Sequence, residues 1–139
     1  MTARLVVFAL AVACATTSQS GRSHQQFELE VPARVGEAQT YLVLKDVEAP
    51  RNASIVLRAY ALLPDTGRML LGSTAIPGVA PDARGITAVR ELRINVTSAL
   101  RRYVGLTTSR TVRVDVVSAA DSSAATPQWR ARAAEFVQP

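Results

Sequence analysis

Few residues in this chain could do acid–base, nucleophilic or metal chemistry. Its 139 residues include one cysteine, Cys14, and one histidine, His24. A disulfide, a thiol nucleophile or a thiolate metal site would each have to use Cys14, which lies in the N-terminal leader and leaves the rest of the chain without a thiol. A Ser-His-Asp triad, a zinc site or a multi-histidine copper centre would have to be built from His24 alone. Glu28 and Glu30 come nearest to a carboxylate pair. Two residues apart on an alternating segment, both fall on its solvent side. The chain is expected to be no enzyme, with no catalytic residue, no cofactor and no metal site.

Charge is no more specific. Lys+Arg 16 against Asp+Glu 11 gives a net +5, and Lys45 is the only lysine. A nucleic-acid surface would gather bases along one face and interleave aromatic platforms. No basic run here exceeds Arg101-Arg102, so the arginines read as scattered over strand faces, and nucleic acid is not an expected partner. Hydrophobic residues make up 48% of the chain, which supports a packed core and excludes disorder throughout. The length suits one domain of roughly 100–120 residues beside a leader and a tail.

Residues 1–20 read as an export signal: Arg4, then the apolar run Leu5 to Ala13, then small residues. The run is shorter than the roughly 20 residues of a transmembrane helix. Two processing sites compete. Ala13-Cys14-Ala15 is an A-x-A-like site for ordinary secretion. Ala11-Val12-Ala13-Cys14 resembles a bacterial lipobox, in which Cys14 becomes the lipidated first residue and the polar stretch ATTSQSGRSHQQ a tether. Either route places the protein outside the cytoplasm, secreted or periplasmic in one case and lipid-anchored in the cell envelope in the other. Residues 21–26 read as a flexible linker that includes His24, and residues 27–138 as the folded domain.

The elements of that domain are set by periodicity. Phe27, Leu29 and Val31 alternate with Glu28 and Glu30, a half-buried strand ended by Pro32. A second strand spans Thr40 to Val47, with Glu48 to Asn52 as a turn. Ala53 to Ile76 reads as a β-hairpin around Pro64-Asp65-Thr66-Gly67, with Ile55, Leu57, Ala59 and Ala61 inward and Val56, Arg58, Tyr60 and Leu62 on a partly covered face. Glu91 to Val96 is a strand, and Thr97 is expected to cap a short helix that carries Leu100, Tyr103 and Val104 on one face and stops at Gly105. Arg101 and Arg102 would favour its negative end. Ser109 to Ser118 and the segment around Trp129 to Val137 complete the set. About seven closely spaced strands and one helical turn make an all-β, antiparallel β-sandwich.

Between Ile76 and Glu91 the sequence is rich in proline and glycine, and this irregular loop is the candidate interaction site through Pro77, Val79, Pro81, Asp82 and Arg84. Asn52-Ala53-Ser54 and Asn95-Val96-Thr97 match the glycosylation acceptor pattern and read as incidental.

The hairpin and the segments C-terminal to it carry a resemblance. Ser54-Ile55-Val56-Leu57-Arg58-Ala59-Tyr60, Gly72-Ser73-Thr74-Ala75-Ile76-Pro77-Gly78-Val79 and Leu92 to Leu100 come in an order that resembles the C-terminal domain of tyrosinases and polyphenol oxidases, as do Val112 to Val117 and the terminal strand. The likeness covers about residues 40–137. It implies a jelly-roll-like sandwich packed over a copper-binding domain, and a tyrosinase-like oxidase as partner. None of that family's six copper histidines has a counterpart here, Asn95 stands where the family usually has Asp, and Pro77 where it often has an aromatic. The expected function is therefore a non-catalytic exported module that binds or shields another protein. The alternative is a membrane-anchored lipoprotein acting as an assembly or secretion accessory.

Overall fold

A computed structural model describes residues 24–65, 67–119 and 129–139. The leader with Cys14, residues 21–23 of the linker, Thr66 and residues 120–128 lie outside the described residues. The chain folds into seven strands and one helix: β1 (His24–Glu30), β2 (Tyr41–Pro50), β3 (Ile55–Leu62), β4 (Arg68–Ile76), β5 (Ile86–Asn95), α1 (Thr97–Leu106), β6 (Thr111–Ala119) and β7 (Ala133–Val137). All strand pairings are antiparallel, in a four-stranded sheet of order β1-β6-β3-β4 and a three-stranded sheet of order β5-β2-β7. This is the expected all-β sandwich. Apart from the β3–β4 hairpin, each step along the chain changes sheet, so nearly every neighbouring pair joins distant segments.

The inward residues of both sheets make one core. Ile55, Leu57, Ala59 and Ala61 of β3 and Val112, Val114 and Val116 of β6 face Leu42, Leu44, Val47, Ala49 and Ile94, with Trp129 and Ala131 in the same cluster. The opposite face of β3 is only partly covered: Val56 and Arg58 are exposed, Tyr60 and Leu62 half-buried. At one corner the sheets approach so closely that a Cβ on Gly72 would lie 2.6 Å from Ile94 Cγ2 and 2.9 Å from the Asn95 carbonyl. Only glycine fits that contact between β4 and β5.

Several boundaries depart from the periodicity. β1 begins at His24, inside the expected linker, because the Gln25 side chain completes a pairing with a distant segment. Its Nε2 donates to the Ala131 carbonyl and its Oε1 accepts from the Ala131 amide, both at 2.8 Å. β2 runs on through Pro50, so only residues 51–53 turn, and β5 starts at Ile86, leaving residues 77–85 as the loop. β7 proper starts at Ala133, and the Trp129–Arg132 stretch joins β2 by an isolated bridge between Glu48 and Arg130.

One line across the three-stranded sheet accounts for these last shifts. In β2 the inward residues are Leu42 and Leu44 before Asp46 but Val47 and Ala49 after it. β5 changes phase at Arg90–Glu91, and the last segment changes between Ala131 and Ala134. Asp46 sits at φ 49°, the left-handed region that an aspartate tolerates better than most residues. Its carboxylate meets Arg132 Nε at 2.8 Å.

Helix α1 also differs from expectation. Thr97 is its first residue and not its cap. Its hydroxyl donates to Asn95 Oδ1 at 2.8 Å and accepts from the Thr40 amide at 2.9 Å, fastening the helix start to the lead-in of β2. Gly105 lies inside the helix, which runs to Leu106, and Val104 is exposed while Leu100 and Tyr103 are buried. Arg101 is mid-helix, where Nη2 donates to the Gly36 carbonyl at 2.8 Å, a link to the 31–40 connection that replaces the expected pairing with the helix end.

Candidate interaction face

The loop of residues 77–85 is held from below by the turn at 51–54. Ser54 Oγ accepts from the Gly78 amide at 2.9 Å. The Val79 amide donates to the Arg51 carbonyl at 2.8 Å, and the Arg51 amide donates to the Gly85 carbonyl at 3.1 Å. The Pro50–Arg51 backbone therefore lies between the Val79 and Gly85–Ile86 segments. Gly78 packs against the chain itself, since a Cβ there would sit 2.7 Å from the Ala53 carbonyl carbon. Gly85 takes φ 88°, which turns the chain into β5 at little steric cost.

On this tied backbone Pro77, Val79, Pro81, Asp82 and Arg84 are all exposed. Beside them the structure adds two residues that periodicity does not single out, Arg51 and Ile86, also exposed. Val79 is 59% and Ile86 63% accessible, unusually open for β-branched aliphatics. Such a surface offers apolar contact and an arginine pair, with Asp82 as the opposing charge. Asp82 is the one group of the loop able to accept a proton or ligate, and the loop sequence sets no second carboxylate, histidine or cysteine beside it.

His24 is on the outward face of β1, with Nδ1 3.7 Å from Asp115 Oδ1 of β6, beyond hydrogen-bond length. That carboxylate oxygen is buried and accepts no hydrogen bond from the described residues. Tyr60 is the cross-strand neighbour of Asp115 on β3, and the Arg68 guanidinium stacks 4.0 Å from its ring centre. Sequence alone does not reveal Asp115 as a neighbour of His24, because the β1–β6 pairing spans most of the chain. Glu28 and Glu30 are exposed, as the alternation implied.

The outward face of the three-stranded sheet is a lattice of opposite charges. Lys45 meets Glu135 at 2.8 Å, Arg130 meets Glu48 at 2.6 Å, and Arg93 meets Glu91 at 3.6 Å. The hydrogen bond and charge of Glu135 raise the Lys45 pKa above its ordinary value. Burial alone raises that of Tyr103. Among the described residues no three His, Cys, Asp or Glu side chains are grouped to hold a metal, and no helix is long and apolar enough to cross a membrane. Of the acceptor triplets, Asn52 is exposed in the 51–53 turn, and Asn95 Oδ1 accepts from both the Thr97 amide and hydroxyl. Neither models of known protein families nor curated proteins give a match to this chain.

Proposed function

We propose that the chain is a non-catalytic, exported β-sandwich that acts by binding another protein through the 77–85 loop. One observation carries the reading: five exposed loop residues, two of them prolines, stand on a backbone tied by hydrogen bonds to the 51–54 turn. A loop fixed before binding loses little conformational entropy on association, which is what a recognition surface needs. The partner class suggested by the sequence resemblance is a tyrosinase-like copper oxidase, shielded in trans. Purified protein mixed with such an oxidase tests this. Association and altered oxidase turnover that are lost in Val79→Asp and Arg84→Glu support it; no association, or association unchanged by both substitutions, refutes it.

A second reading is a lipid-anchored accessory of the cell envelope. It is favoured by the position of Cys14, the only cysteine, at the end of the apolar run. Mass spectrometry of the processed N-terminus decides it: a diacylglyceryl-cysteine supports an anchor, and an unmodified start beyond Cys14 removes it.

A further inference from the structure

The sandwich has two ends, and the chain reaches β1 at the same end that carries the tied loop. His24 pairs with Val117 near the end of β6, and β6 ends at Ala119 against Val56, just after the 51–54 turn. Nine residues separate Cys14 from His24, a reach of at most about 35 Å over the ten steps between them. Strands of ten residues make the sandwich itself about 30 Å long. A tether starting at the loop end would have to run back along the whole domain before α1 could face the surface that holds it.

The loop end is also built for such a surface. Val79 and Ile86 project into solvent on either side of the Pro50–Arg51 segment. Arg51 and Arg84 are exposed beside them and make no ion pair among the described residues, while Asp82 is the one acidic side chain of the loop. Aliphatic side chains beside free arginines match a bilayer bearing anionic headgroups. We infer that this end of the sandwich, through Val79, Ile86, Arg51 and Arg84, rests on an anionic lipid surface when Cys14 is acylated. The inference depends on the lipid-anchored reading above.

Leu106, 66% accessible on α1 at the opposite end, is a control matched in exposure. The full chain is exported and processed as Val79→Cys, Ile86→Cys and Leu106→Cys, labelled with an environment-sensitive fluorophore and reconstituted into vesicles of phosphatidylcholine with phosphatidylglycerol. The expected result is blue-shifted emission, quenched by lipid-borne quencher, at 79 and 86 and not at 106. Phosphatidylcholine alone should weaken the shift, and Arg51→Gln and Arg84→Gln should each lower the contacting population roughly five-fold. Probes at 79 and 86 as exposed as the one at 106, on a chain whose N-terminus is acylated, overturn the orientation and leave the anchor standing. Shielding at 79 and 86 that appears only on adding a protein partner overturns the lipid contact in favour of protein docking. An unmodified N-terminus, with Cys14 removed or itself taking the label, overturns the anchor and the inference with it.

Discussion

Gln25 is the residue whose role differs most between a linker and a strand, and replacing it tests the placement of β1. Its amide fills both the donor and the acceptor of Ala131, whose residue is 4% accessible. Gln25→Ala leaves an N–H and a C=O with no partner and little access to water. Each unsatisfied buried group costs about 1–3 kcal/mol, and partial relaxation of the β1 edge should bring the pair to roughly 2–3 kcal/mol. Against a domain stability of about 5–15 kcal/mol that is a large fraction. With a urea slope of about 1–3 kcal/mol per molar, the midpoint should fall by roughly 1 M. Gln25→Glu should be no better: it keeps an acceptor for the Ala131 amide but sets a carboxylate oxygen against the Ala131 carbonyl. Gln26→Ala, on the exposed face of the same strand, should stay within about 0.5 kcal/mol. Urea unfolding of the three variants at constant slope is the assay. If Gln25→Ala matches Gln26→Ala, the clamp does not form in solution and β1 begins later, as alternation alone suggests.

Gly72→Ala should cost about 1–3 kcal/mol, because its Cβ meets Ile94 and the Asn95 backbone and neither can withdraw without opening the β4–β5 corner; an unchanged unfolding midpoint would contradict the contact. Tyr103 and Lys45 both have raised pKa values, and for each the folded state keeps its proton to higher pH than the unfolded chain. The contribution of these two groups to stability should therefore be fully present at neutral pH and be lost as pH rises past their ordinary values of 10.0 and 10.5, and Tyr103→Phe should shallow that fall in denaturation followed against pH. A double-mutant cycle on Arg130 and Glu48, an exposed pair, should return no more than about 1 kcal/mol and shrink in high salt.

The layered all-β architecture is legible in the sequence because burial in this chain is mostly one-sided. β3 and β6 alternate cleanly, and their inward and outward sets are those their sequences imply. In the three-stranded sheet, where periodicity misleads, it does so along one line. It ends the second strand at Val47, starts the fifth at Glu91 and carries the alternation of the last one past Arg132. Those positions adjoin Asp46, Arg90 and Arg132, where β2, β5 and the terminal segment exchange their inner and outer faces. A period-2 pattern interrupted by one residue looks like a strand end followed by a turn, since a slip of one sends every later side chain to the other face. The candidate loop is legible from its prolines and glycines. Its neighbours Arg51 and Ile86 are not, since they join it only through hydrogen bonds from the 51–54 turn.

The exchange of faces also bears on what the two outer surfaces can do. Had β2 kept its first phase, Val47 and Ala49 would face outward and Glu48 inward. Turning all three strands at Asp46 instead gathers Lys45, Asp46, Glu48, Arg130, Arg132 and Glu135 into neighbouring opposite pairs. Paired charges at the surface add little stability, but each pair cancels most of its own field, which suits that face poorly to an anionic partner. Arg51 and Arg84, which make no ion pair among the described residues, stand instead at the loop end beside exposed Val79 and Ile86. A variant that restored period 2 through Asp46 would turn over every later residue of β2 and carry the change on to Arg51, whose backbone holds Gly85 and Val79.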